Sequence, residues 1–204
     1  MITKPTVCFV ESLGFLEEQT HKEGEIIART LQLSGKRSAY AYVRSKRELS
    51  AVADEFGESK HRYFHLSCHG VVNGKTAAGF HLTTEQIGSD DLARLLAPHM
   101  DGRRVFLSSC LAARSTFAAT LLKESKCLSV LAPMNNINFD DAAVFWTAFY
   151  HLMFKGGQKS MSTRRIVTNV GICASLVAER FRLFYRLTNG EMKETTIGPM
   201  KRPK

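Results

Sequence analysis

Two apolar runs in this chain carry side chains that can do chemistry. The stretch RYFHLSCHGVV (62–72) holds His65, Cys68 and His69, and RRVFLSSCLA (103–112) holds Ser108, Ser109 and Cys110. Both runs read as buried strands, so each titratable group near a strand end needs a reason to be there. A metal site is the first option. It fails on strand geometry: His65 and His69 share a face but stand about 13 Å apart at ~3.3 Å per residue, and Cys68 points to the other face. A cysteine phosphatase needs an arginine six residues after its nucleophile to fork onto phosphate, and Thr116 occupies that place after Cys110. Neither VVNGKTAAG nor KGGQKS has the glycine spacing of a phosphate loop.

A cysteine nucleophile with a histidine base remains. A free thiol titrates near ~8.5 and attacks poorly at neutral pH until an imidazole takes its proton. Attack on an amide builds an oxyanion, which calls for two backbone N–H donors worth ~3 kcal/mol each. Gly70, beside His69, permits the close backbone approach such a site needs. The plainer roles are packing for Cys68, a hydrogen-bonded core histidine for His65, and backbone satisfaction for Ser108 and Ser109.

The elements that must position these groups follow from the hydrophobic periods. TVCFVES is a strand, EEQTHKEGEIIARTLQLSG a helix stopped by Gly35, and SAYAYVR a second strand. RELSAVADEFGE gives another helix, and GFHLTT is a hairpin arm or small extra strand. GSDDLARLLAPH is a short helix capped by Ser89. Then come the RRVFLSSC strand, a helix over RSTFAATLLKES, the LSVLAP strand, and DDAAVFWTAFYHLMF, a helix apolar on nearly every face and closed by Gly156 and Gly157. A helix over MSTRRIVTNVGICASLVAERF and two strands joined at Asn189-Gly190 complete the chain. Repeated β–α units predict an α/β fold with a mostly parallel sheet, helices on both faces and a C-terminal hairpin. Ligands of such sheets sit at the carboxyl ends of the strands, where His69 and Cys110 are expected to meet if their strands are neighbours.

The 204 residues, 44% hydrophobic, fit a single domain over 1–204. No apolar run reaches the ~18 residues of a membrane span, and MITKPTVCFV lacks a signal-peptide layout, so a soluble, cytoplasmic protein is expected. Five scattered cysteines with no C-x-x-C pair indicate neither a disulfide framework nor zinc. Net charge is +9, with 12 Lys/Arg against 13 Asp/Glu in residues 1–102 and 16 against 6 in 103–204. That asymmetry admits a nucleic acid or an acidic partner, but the basic residues are scattered as on a solvated surface, clustering only in MSTRRIV and MKRPK.

FHLSCHG, the following FHLTTEQIGSDDLARLLAPHMDGRRVFLSSCLAARSTFAATLL, and VLAPMNNINFDDAAVFWTAFYHLMFKG together resemble the caspase-like cysteine peptidases, most closely the CHAT branch related to caspases and separases. The resemblance runs from about Thr6 to Phe184. It implies a three-layer caspase-like sandwich and a Cys-His dyad, with His69 as base, Cys110 as nucleophile, and the Gly70 and Cys110 N–H groups as oxyanion donors. No cofactor and no metal are implied. The Gln-Ala-Cys-x-Gly pattern of caspases is absent, so cleavage after aspartate is not implied. In separase and CHAT sequences an aspartate after the corresponding strand can line the pocket for the residue before the cut. Here Asp140 and, in reserve, Asp141 follow SVLAP, and they are the only acidic residues between Glu124 and Glu179. The expectation is therefore a cysteine endopeptidase that cleaves protein substrates after a basic residue and is regulated by a separate protein partner. The competing role for both aspartates is complementing a helix dipole. The competing functions are an inactive binding module and a basic nucleic-acid binder.

Overall fold

The computed structural model describes residues 5–155 and 161–200. Among these the elements run β1 (Pro5–Ser12), α1 (Glu23–Leu33), β2 (Arg37–Tyr42), α2 (Lys46–Glu58), β3 (Tyr63–Asn73), β4 (Thr76–His81), β5 (Gln86–Gly88), α3 (Ser89–Leu96), β6 (Arg104–Ser108), α4 (Phe117–Glu124), β7 (Ser129–Pro133), α5 (Phe139–Phe154), α6 (Thr163–Val177), β8 (Phe181–Arg186) and β9 (Met192–Ile197). The sheet order is β2-β1-β3-β6-β7-β8-β9, with β4 and β5 branching from β3. Strands β2, β1, β3, β6 and β7 are parallel, while β8 and β9 form an antiparallel C-terminal hairpin.

Period-two alternation divides the core between the two faces of this sheet. Cys8, Val10, Phe64, Leu66, Val105, Leu107 and Val130 face α2, α3 and α4. Val7, Phe9, Tyr63, Phe106 and Leu131 face α1, α5 and α6. Helix α5 is apolar almost all round because it packs on the sheet and also touches both α1 and α6. The result is a three-layer α/β sandwich, as the sequence predicts.

Departures from the sequence reading are local. The helix expected to begin at Glu17 begins at Glu23. The residues before it form a turn in which the Glu17 and Glu18 N–H groups donate to the Gly14 carbonyl at 2.9 and 3.1 Å. Ser89 is the first residue of α3 rather than its cap; Gly88 takes that place, and the Ser89 hydroxyl donates to the Ala77 carbonyl at 3.4 Å. Strand β3 does not end at His69. Its parallel pairing stops at Cys68 with β1 and at Ser67 with β6, and from His69 onward it becomes one arm of an antiparallel hairpin with β4. The turn of that hairpin contains Gly74 at φ 61°, a left-handed conformation that glycine adopts freely. The expected stop at Gly156 and Gly157 lies outside the described residues.

Several second-half arginines hold the fold together. Arg103 donates to the carbonyls of Phe56, Gly57 and Ser59 at the end of α2. Arg186 does the same for Leu122 and Ser125 at the end of α4, and Arg165 for Leu152 and Met153 at the end of α5. A cation on the free carbonyls of a helix C-terminus satisfies both their hydrogen bonds and the helix dipole. Part of the basic excess is thus structural.

Candidate active site

Strands β3 and β6 are parallel neighbours whose ladder ends at the pair Ser67–Ser108. His69 and Cys110 each stand two residues beyond that pair. By strand alternation they therefore continue the same face of the sheet, the one covered by α1 and α5. Past Ser108 the chain breaks sharply. Leu111 is left-handed at φ 56°, its N–H donates to the Asn135 carbonyl at 3.1 Å, and a single 3-10 turn follows at Ala112–Arg114. A leucine in that region costs ~1–2 kcal/mol, and its buried side chain helps hold it there. Cys110 is displayed on the turn so formed. Gly70 packs directly beneath: a Cβ placed on it would run into the Cys110 carbonyl oxygen and lie 3.2 Å from the carbonyl carbon.

His69 is half-buried, and its Nε2 lies 2.7 Å from Glu17 Oε2. The same carboxylate oxygen accepts the Gly14 N–H at 3.0 Å, which anchors the turn before α1. Burial pushes the Glu17 carboxyl up, but its bonds to His69 and Gly14 and the charges of His69 and His21 outweigh this and leave it below the usual range. Phe139, at the start of α5, meets the His69 ring edge-on at 5.4 Å. Glu17 was missed in the sequence because its segment reads as continuous charged helix.

Of the five cysteines, all free, only Cys110 is not buried. Its Sγ lies 3.7 Å from the Ile137 carbonyl. Burial pushes the thiols of Cys8, Cys68 and Cys127 up to about 12 and that of Cys173 to about 11. Those four are locked as unreactive thiols.

His69 and Cys110 line one cleft of about 490 Å³, with Ser67, Cys68, Ser108 and Ser109 below and residues 137–140 on one wall. Asp140 stands on this wall, exposed, with its carboxylate accepting the Asp141 N–H at 3.0 Å. Asp141 does not line the cleft. Both lie in the first turn of α5. His65 lies deeper, fully buried, with Nδ1 2.9 Å from the Tyr150 hydroxyl and its ring edge-on to Trp146. Burial alone pushes it down to about 3, so it is a neutral core histidine. Among the described residues no group of three or more His, Cys, Asp or Glu side chains is placed to hold a metal ion. Nor is any helix among them long and apolar enough to cross a membrane.

No family model matches the chain, and no curated protein matches it. Solved structures do. A secreted C11 cysteine protease from Bacteroides thetaiotaomicron, "iotapain", superposes with a TM-score of 0.61 at 9% identity over 91% of this chain and 67% of its own. The structure of a secreted C11 cysteine protease from the same organism with an irreversible peptide inhibitor gives 0.59 at 8% identity over 90% and 66%. This is the caspase-like fold. Protein GSU0716 from Geobacter sulfurreducens aligns at a TM-score of 0.50 and 13% identity over 97% of this chain and 95% of its own. At such identities the caspase-like likeness is one of fold, and the chain spans about two thirds of the length of the two C11 protease structures.

Proposed function

We propose that this chain is a cysteine endopeptidase, a single caspase-like domain of the CHAT branch, in which Cys110 is the nucleophile and His69 the base. One observation carries the reading: the single accessible thiol among five shares a cleft with a histidine already fastened by a carboxylate. Glu17 holds His69 through Nε2, which leaves Nδ1 as the ring nitrogen to serve the thiol. His69 takes the Cys110 proton, and Sγ attacks the scissile carbonyl. The resulting oxyanion is held by the Gly70 and Cys110 N–H groups. Collapse breaks the C–N bond, His69 delivers its proton to the leaving amine, and a thioester remains. Water, deprotonated by the same imidazole, hydrolyses the thioester and returns the thiol. The substrates are proteins cut after a basic residue, and by the CHAT resemblance a separate protein partner controls the activity.

The test is covalent labelling and peptide turnover on the wild type, Cys110→Ala and His69→Ala. A peptide electrophile labels Cys110 in the wild type, labels it at least tenfold more slowly in His69→Ala, and labels nothing in Cys110→Ala, where turnover is also lost. Preferential labelling of Cys8, Cys68, Cys127 or Cys173, or turnover that survives Cys110→Ala, overturns the reading. In that case an inactive binding module or nucleic-acid binding is what remains.

A further inference from the structure

Glu23 is the first residue of α1, 3% exposed, and it lines the same cleft as Cys110. Beside it are Ser67 and Ser108, the pair that closes the β3–β6 ladder immediately below His69 and Cys110. Glu23 Oε1 and Ser108 Oγ are both buried and neither makes a hydrogen bond. A carboxyl group buried this deeply, with one oxygen lacking a hydrogen bond, is among the costlier features a fold can carry. Among the described residues the one ion-pair contact to Glu23 comes from His65, with Nε2 3.9 Å from Oε1, and burial keeps that ring neutral. Burial correspondingly pushes the Glu23 carboxyl up to about 8, against the pull of the two serine hydroxyls near it. The base of the cleft is thus an acceptor-rich, charge-deficient pit under the candidate nucleophile.

We infer that Glu23, with Ser67 and Ser108, forms the base of the pocket for the residue preceding the cut, and that this pocket takes the ammonium or guanidinium of a lysine or arginine. This rests on the peptidase reading above and transfers the charge-recognising role expected of Asp140 and Asp141 to a residue of α1. A long side chain entering past Cys110 supplies the N–H donors that Glu23 Oε1 and Ser108 Oγ lack, and it lays its apolar stem along the cleft walls. An acidic side chain brings further acceptors and a charge that the buried carboxyl cannot pair, and is refused. Asp140 fits the role less well because it is exposed and already accepts the Asp141 N–H.

Two measurements on the full chain test this. Peptide chloromethyl ketones ending in Arg, Lys, norleucine or Asp are compared for the rate at which they alkylate Cys110 in the wild type, Glu23→Gln and Asp140→Asn. The wild type and Asp140→Asn favour the Arg and Lys reagents; in Glu23→Gln the ratio of the Arg and Lys rates to the norleucine rate falls at least tenfold. Separately, benzamidine, a cation with no peptide, slows alkylation of Cys110 by iodoacetamide in the wild type, a readout needing neither a peptidase nor a folded variant. An Arg/Lys advantage that survives in Glu23→Gln, or is lost in Asp140→Asn, overturns the assignment, as does a wild type that prefers Asp or norleucine. Failure of every peptide reagent at Cys110 sinks the peptidase reading instead; the cation pit then stands if benzamidine still protects and falls if it does not.

Discussion

Glu17 Oε2 and His69 Nε2 are 2.7 Å apart, so a residue from the turn before α1 fixes the ring of a residue in the middle of β3. Glu17 is a positioning residue in the proposed mechanism. A base displaced by even ~1 Å can lose a hundredfold in rate, and Glu17→Ala is expected to lower kcat roughly tenfold to a hundredfold with KM little changed. Glu17→Gln, which can still hydrogen-bond the ring, should recover much of that loss. Because Glu17 lies below its ordinary range in the folded protein, the stability it contributes is present above its unfolded value and fades as pH falls through the folded one. Equal kcat values for Glu17→Ala and the wild type would remove Glu17 from the mechanism.

Gly70→Ala is expected to be costly through contact and not through backbone conformation, since Gly70 is not among the positive-φ glycines. Its Cβ runs into the carbonyl of Cys110, and Ser109 Oγ closes the remaining side at 3.3 Å. The β6 turn must shift, at roughly 1–3 kcal/mol by analogy with overpacked cores. Denaturant unfolding measures that loss, and slower alkylation of Cys110 in the folded variant measures the displacement of the turn. Unchanged stability together with unchanged alkylation would show that the two backbones do not meet.

The fold was legible because strands and helices obey their periods: the alternation along β1, β3 and β6 sorts both core faces without reference to any contact. That His69 and Cys110 would line one cleft was legible for the same reason, as each follows an apolar run. Glu17 and Glu23 were not. Each is a glutamate in a charged stretch, and such residues ordinarily support a helix dipole or face water. The turn at Gly14 aims Glu17 at the imidazole, and the packing of α1 between the sheet and α5 buries Glu23. GFHLTT was legible as a hairpin arm, and β4 is that arm, but the run of β3 past His69 to pair with it was not, although the Asn73-Gly74 dipeptide signals such a hairpin.

Arg103 looks from the sequence like one more surface charge. Its guanidinium lies 4.3 Å above the Phe56 ring and donates to three carbonyls at the end of α2. Arg103→Ala is expected to destabilise the protein by about 2 kcal/mol, through lost charge-assisted bonds and orphaned carbonyls. Arg103→Lys should recover little of this, because a single ammonium cannot span the fork. Chemical denaturation of the three proteins decides; a lysine variant as stable as the wild type would make the charge alone sufficient.

His65 gives the stability of this fold a definite acid limb. Its ring is fully buried among Phe9, Trp146 and Tyr150, and burial pushes it down to about 3. Unfolded, it titrates near ~6.5, so between those values the unfolded chain binds a proton that the folded chain refuses. The neutral ring's contribution is fully present above ~6.5 and is lost as pH falls towards 3. At ~1.4 kcal/mol per pH unit, the fall from pH 6.5 to 5 removes about 2 kcal/mol. Glu23 acts in the opposite sense: with its carboxyl pushed up to about 8, stability present below its unfolded value is lost as pH rises through the folded one. His65→Phe keeps the aromatic packing, leaves the Tyr150 hydroxyl without its partner, and is expected to be less stable than the wild type at pH 7. As pH falls to 5 the wild type should lose about 2 kcal/mol relative to this variant, so the gap narrows or inverts. Parallel stability curves for the two proteins between pH 7 and 5 would mean that His65 titrates in the folded state as it does in the unfolded one.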